Sequence, residues 1–125
     1  MAYKTGQFVW HDLTVPNANA VKDFYNKVIG WQSGEHNMGD YNDYTVALPE
    51  DKNAVVGGIC HNKGINANIP PVWLLYVVVE NVAESAQTCL DNGGKVLDGP
   101  RLTGKNNFCI IQDPAGAVLG LIENE

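Results

Sequence analysis

The sequence predicts an α+β fold built from two tandem βαβββ modules. Three observations predict it. The order strand, helix, then three strands can be read twice along the 125 residues. Ala54–Ile59 (AVVGGI) matches Ala117–Ile122 (AVLGLI) at an offset of 63. Two helix-capping asparagines, Asn17 and Asn81, and two helix-stopping glycines, Gly30 and Gly94, each recur at an offset of 64. Independent features that agree on one period are the mark of an internal repeat.

Phe8–Val15 reads as a strand. Pro16 and Asn17 then open a helix, because the Asn side chain can accept from an early helical amide. Val21, Phe24, Tyr25 and Val28 recur at three- and four-residue spacing, which predicts a buried stripe. Gly30 supplies the left-handed cap that ends the helix. Residues 33–43 are polar and predict a weak strand and a loop holding His36. Tyr44–Leu48 and Ala54–His61 read as strands joined by a turn over Pro49–Asn53. Asn62–Pro71, rich in Asn, Gly and Pro, is the connector, so the modules span about 7–61 and 72–125 of one domain.

The second module opens with Trp73–Val79, apolar at every position, as expected of a strand covered on both faces. Asn81 with Glu84 resembles a capping box. Val82, Ala86 and Leu90 lie four apart on one helical face, and Gly93–Gly94 stops that helix. Short strands follow over Lys95–Asp98, Phe108–Gln112 and Val118–Glu123. Asp113–Gly116 (DPAG) has the Pro and Gly placement of a type I turn.

Composition narrows function. Hydrophobic residues make up 45% and charged residues 18%, the balance of a globular protein. Eight Lys+Arg against fourteen Asp+Glu give −6, with the cations scattered, which argues against nucleic acid and anionic membranes. The longest apolar run, Val72–Val79, is far below the ~20 residues of a membrane helix, and no basic-then-apolar leader is expected. Three cysteines, an odd number without a CxxC, predict free thiols in a reducing, cytoplasmic setting.

The tandem order resembles the vicinal-oxygen-chelate superfamily, which includes glyoxalase I, bleomycin-resistance proteins, a fosfomycin-resistance group and extradiol dioxygenases. The resemblance rests on Leu13–Asn17 (LTVPN), Asp23–Tyr25 (DFY) and Ile29–Trp31 (IGW) in the first module. In the second it rests on Val79–Val82 (VENV), Asn92–Gly94 (NGG) and Asp113–Gly116. Trp10–Leu13 (WHDL) and Trp73–Tyr76 (WLLY) are similar to a glyoxalase-related branch of unknown substrate. The resemblance implies that the modules curl one mixed sheet into a cup holding a small molecule, and that the chain is a homodimer. It implies metal ligands, His, Glu or Gln, from the first and last strand of each module. Counting from the motifs puts those places at Trp10, Gly57, Leu74 and Gly120, none of which coordinates a hard or borderline cation. No metal and no cofactor are therefore expected.

Strand alternation assigns the remaining residues. Leu13 and Val15 supply the floor under the helix, so His11 shares their face. Trp10, Asp12 and Thr14 take the other face and line the cup, and the 64-residue offset puts Leu74, Tyr76 and Val78 in the corresponding places. Asp12, a carboxylate beside aromatic surface, is the candidate catalytic base or recognition residue. His61 ends a strand, and Glu123 falls on the face opposite Gly120. Two functions follow: a metal-independent small-molecule-binding protein, and a glyoxalase-like lyase or isomerase using Asp12. A metal-dependent dioxygenase-type enzyme requires ligands such as His11, His61 or Glu123 in an atypical arrangement.

Overall fold

The computed structural model describes residues 3–103 and 106–123. Its first βαβββ run is β1 (Phe8–Val15), α1 (Ala18–Ile29), β2 (Gln32–Asn37), β3 (Asn42–Leu48) and β4 (Asp51–His61). The second is β5 (Trp73–Val79), α2 (Val82–Asp91), β6 (Lys95–Thr103), β7 (Asn106–Gln112) and β8 (Val118–Glu123). The α+β tandem repeat predicted from sequence is the one observed. Neither helix is long and apolar enough to cross a membrane.

The chain forms two compact units, His11–Trp73 and the combination of Met1–Trp10 with Leu74–Glu125. In the first unit the strands run in the order β2-β3-β4-β1. β1 pairs parallel with β4, placing Asp12 opposite Gly58 and Leu13 opposite Ile59. The other two pairings are antiparallel. Alternation sends Leu13, Val15, Tyr44, Val46 and Ile59 to the side under α1, where they pack with Ala18. Each fully buried aliphatic side chain there contributes about 1.5–3 kcal/mol.

The Asn17 side chain accepts from Ala20 N at 3.4 Å, and Gly30 ends α1 with φ of 89°. The predicted α1 stripe is only half buried. Val21 and Tyr25 pack on the core, but Phe24 is 57% and Val28 63% exposed. Helical phase accounts for Phe24: at about 100° per residue, Ala18, Val21 and Tyr25 face the sheet while Phe24 points roughly a quarter-turn aside. Val28 shares the direction of Val21 but lies in the last turn, two residues before the Gly30 cap. Tyr25 instead joins Trp31 and Trp73 in an edge-to-face cluster, and Trp73 Nε1 donates to Tyr25 Oη at 3.0 Å. His36, expected in a loop, lies in β2 opposite Asp43. The turn between β3 and β4 is shorter than predicted, because Leu48 already pairs with Asp51. The connector holds a 3-10 turn, Gly64–Asn66, and buries Ile69.

In the second unit the order is β5-β8-β7-β6, with β5 parallel to β8 and Tyr76 opposite Gly120. The N-terminal segment joins this unit: Gly6 N donates to Val78 O at 2.8 Å, and Val78 N to Gln7 O at 3.0 Å. β5 does not have the two equally covered faces its composition predicts. Leu74 and Val78 are 1% exposed, whereas Leu75 is 44% exposed. Val77 and Val79 pack with Val82, Ala86, Cys109 and Leu121 under α2. Leu90, at the edge of that helical face, is 51% exposed. β6 runs past its predicted end at Asp98, because an irregularity between Asp98 and Arg101 takes up Gly99–Pro100 and lets pairing resume. At the β7–β8 turn, Gly116 N donates to Asp113 O at 2.9 Å, as in a type I turn.

Both helices are started by asparagine, and α2 has a second device. Asn81 Oδ1 accepts from Glu84 N at 3.0 Å, and Glu123 Oε2 accepts from Val82 N at 2.8 Å. Glu123 Oε1 also accepts from Asn107 Nδ2 at 3.1 Å. Glu123 therefore lies on the α2 side, as alternation from Gly120 requires, and acts as a cap. Glu123→Ala should lower stability by about 1–2 kcal/mol, through an orphaned first-turn amide and a lost charge at the helix N-terminus. Urea unfolding of Glu123→Ala beside Glu123→Gln, which keeps an acceptor, measures it.

Candidate functional site

In the His11–Trp73 unit, the face turned away from α1 is polar. The register builds it in rows. Gly34 pairs with Thr45, Thr45 with Gly58, and Gly58 with Asp12. Two of these four residues lack a side chain, so the row is a shallow trough that ends at Asp12. A Cβ built on Gly58 would stand 3.5 Å from Asp12 Cβ and 4.0 Å from Cys60 Sγ, which places all three on this face. Thr14, opposite Cys60, is buried on the same side. Asp12 itself is half-buried.

Asp43 is the element sequence reasoning missed. It is 7% exposed, and its Oδ1 accepts from His61 N at 2.8 Å. His61 Nδ1 lies 2.9 Å from Asn42 O and 3.5 Å from Asp43 Oδ1, so that nitrogen carries the proton and the ring is fixed. Tyr41 packs edge-on against the His61 ring at 5.0 Å. An Asp two residues before a strand centre gives no periodic signal, which is why the pattern did not single it out.

Cys60 lies among these carboxylates. Burial, then the charges of Asp43 and Asp12, and a hydrogen bond to Asp43, push its thiol up to about 12. It is a neutral hydrogen-bond donor at physiological pH, not a nucleophile. In the other unit, burial followed by the neighbouring Cys89 and Asp98 pushes Cys109 up to about 11. The three cysteines are free.

The face of the second unit turned away from α2 is different in character. Leu74, Tyr76 and Val78 lie on it, with Phe108 and Ile110, all buried. A Cβ on Gly120 would fall 2.6 Å from the Tyr76 ring, so the ring fills the space that a side chain there would need. Arg101 forms a bidentate pair with Asp98, at 2.7 and 3.0 Å, and lies 4.5 Å over the Phe108 ring. Trp10, placed by sequence beside Asp12, is 38% exposed and belongs to this unit.

The register corrects one place in the sequence count. Gly57 faces the α1 side, where its Cβ would meet His11 Cδ2 at 3.4 Å and Val46 at 3.7 Å. Gly58 holds the other face, and an irregularity in β4 accounts for the one-residue error. His11 accordingly lies on the α1 side. The last-strand positions on the two faces are thus Gly58, beside Asp12, and Gly120, beneath Tyr76. With Gly58 in place of Gly57, the four places are Trp10, Gly58, Leu74 and Gly120, and none has a side chain that binds a hard or borderline cation. Among the described residues, no three His, Cys, Asp or Glu side chains converge as a metal-holding group.

The thiols provide a test. With a thiol at about 12, only ~1 in 10,000 Cys60 side chains is thiolate at pH 8, so alkylation of the folded protein should spare Cys60 and Cys109. Peptide mass spectrometry after iodoacetamide treatment at pH 8 checks it, and rapid labelling of Cys60 would refute the buried neutral thiol. Because the folded pKa lies above the ordinary value of 9.0, the stability these thiols carry is intact below that pH and falls as pH rises towards 12.

Comparison with known proteins follows the same lines. Over 121 residues, 95% of this chain, the sequence is 28% identical to a Mycobacterium bovis protein named "Putative glyoxylase CFP32". The chain spans 46% of that relative's length. The fold is similar to crystal structures of methylmalonyl-CoA epimerase from Mycobacterium tuberculosis (TM-score 0.53, 15% identity, 100% of this chain and 93% of that one). It is also similar to the hypothetical protein BH1468 from Bacillus halodurans (TM-score 0.56, 12% identity, 98% and 96%). The Streptomyces coelicolor methylmalonyl-CoA epimerase in complex with 2-nitronate-propionyl-CoA matches with a TM-score of 0.54 at 13% identity, covering 96% of this chain and 98% of that one. Residues 7–121 match the family model of the Glyoxalase/Bleomycin resistance protein/Dioxygenase superfamily, and the chain belongs to that superfamily.

Proposed function

We propose that this superfamily member binds a small, partly apolar molecule without a metal or cofactor, and that Asp12 recognises its polar group. Trp10, Thr14, Leu74, Tyr76 and Val78 are the other contacts in this reading. The observation that carries it is the half-buried Asp12 at the end of a glycine trough, on the sheet face that no helix covers in its unit. Thr14 lies on the same face, and the Cys60 thiol, hydrogen-bonded to Asp43, adds no charge of its own. Fold relatives crystallised with acyl-CoA ligands support a small-molecule role for such a scaffold.

A second reading makes Asp12 a general base in lyase or isomerase chemistry. The name of the mycobacterial relative and the epimerase fold relatives favour it. Asp12 would then take a proton from a carbon or hydroxyl of the bound molecule and return it after rearrangement. The thiol of Cys60, held neutral and hydrogen-bonded to Asp43, would not react.

The cytoplasm and a homodimer complete the proposal. β2 pairs only with β3 and is exposed along its length, an edge that a second copy would cover. Sedimentation at high micromolar concentration should give the mass of two chains. Elemental analysis of purified protein should give no stoichiometric transition metal, and one tightly held ion per chain would overturn that part.

The Asp12→Asn variant separates the two functions. It should melt within a degree or two of the parent. If Asp12 recognises charge, the affinity for a molecule that co-purifies, identified by native mass spectrometry, should fall about tenfold. If Asp12 is a base, turnover of glutathione hemithioacetals should fall ~100- to 10,000-fold with binding spared. Unchanged binding and turnover would remove Asp12 from the site.

A further inference from the structure

The trough that ends at Asp12 has another end. Gly34 and Thr45, at that end of the row, line a pocket of about 210 Å³ together with Gln32, Lys52 and Asn53 among others. Two features of the chain make this space. Gly34 has no side chain, and Thr45 Oγ1 takes the place over it, where a Cβ would come within 2.9 Å of the hydroxyl. β4 is also irregular beside β3: Leu48 pairs with Asp51 but Ala47 with Val55, so Lys52, Asn53 and Ala54 have no partners of their own on β3. A bulge of this kind re-aims side chains that a regular ladder would alternate.

The lining is chemically one-sided. Its residues are Lys52, two amides, Gln32 and Asn53, and two hydroxyls, Ser33 and Thr45, with Gly34 and Ala47, and no carboxylate. Among the described residues no carboxylate pairs with Lys52. The nearest acid in sequence, Asp51, turns its Oδ1 to Asn53 N at 2.9 Å. Gln32 Nε2 donates to Leu48 O and Pro49 O at 3.4 and 2.8 Å, which braces the wall of the pocket. In a chain of net charge −6, an unopposed cation inside a polar pocket has a specific use.

We propose that this pocket is a binding site for an anionic oxygen group, a phosphate or a carboxylate, with Lys52 as its charged anchor and Asn53 and Thr45 as hydrogen-bond donors. Gly34 and Asp12 are three strand spacings apart, about 14 Å. On the reading that Asp12 contacts the ligand, on which this extension rests, the ligand is an elongated molecule with an anionic end at Lys52 and its polar or reacting group at Asp12.

Titration of ¹⁵N-labelled protein with inorganic phosphate, and separately with acetate, at constant ionic strength tests the pocket without knowledge of the natural ligand. The amides of Gly34, Thr45 and Asn53 should shift and saturate, and the stronger of the two anions names the group. Lys52→Ala, a change at an exposed side chain, should weaken that binding at least tenfold. Asp12→Asn should leave it unchanged. Shifts that fail to saturate, that spread evenly over the other lysines, or that persist in Lys52→Ala would overturn the proposal. Those results would leave the Asp12 reading standing. Loss of the Asp12 effects with intact phosphate binding would remove that reading and leave the pocket.

Discussion

The parallel pairing of β1 with β4 sets Asp12 against Gly58 and Leu13 against Ile59, and most of the chemistry of the first unit depends on that register. Side chains alternate with period two, so a slip of one residue would exchange the two faces completely. Leu13 and Val15 would leave the core under α1, and Asp12 would be buried there without a partner, at a cost of several kcal/mol. The hydrophobic floor of the helix and the exposure of the carboxylate are thus two consequences of one constraint. The second unit repeats it with Tyr76 against Gly120 and with Val77 and Val79 under α2.

The repeated frame carries unlike faces. In the first unit the glycine opposite β1 leaves space, and the residues around it are Asp12, Thr14, Thr45 and Cys60. In the second unit the corresponding glycine lies under the Tyr76 ring, and Ile110 and Phe108 extend an apolar surface to the Asp98–Arg101 pair. The two runs share asparagine caps and an apolar floor under each helix, and they differ on the faces that no helix covers.

The parts of this fold legible in the sequence are those with local signals. β1 and β5 run over the residues that alternation and apolar runs assign to them, and both Asn caps lie where a side-chain oxygen was expected. Asp12 opposite Leu13 and Val15 followed from period two alone. Errors arose where non-local packing decides. Helical spacing put Phe24 and Val28 in a stripe with Val21 and Tyr25, yet only the sheet beneath determines which part of that arc is covered. Gly57 was taken for Gly58 because counting from motifs assumes a regular strand, and β4 is irregular. The same irregularity produced the pocket at Lys52. A bulge has no signature in the pattern of apolar residues, and the polar run that contains it reads as an ordinary turn.

The two carboxylates near Cys60 illustrate how structure assigns roles that composition cannot. Asp43 is nearly buried, and its Oδ1 is committed to the amide of His61, beside the His61 ring and the Cys60 thiol. Removing it would orphan donors on two neighbouring residues, so its work is to hold the end of β4 in place. Asp12 is half-buried and borders Gly58, which has no side chain. A buried carboxylate satisfied by its own backbone stabilises a fold, whereas one at the margin of an open trough meets whatever enters it. Burial first, and then the charges of Asp43 and Asp12, raise the Cys60 pKa, so the thiol beside Asp12 stays neutral. The row therefore has carboxylates at its Asp12 end and Lys52 near its Gly34 end, which gives this face a dipole directed from Asp12 towards Gly34.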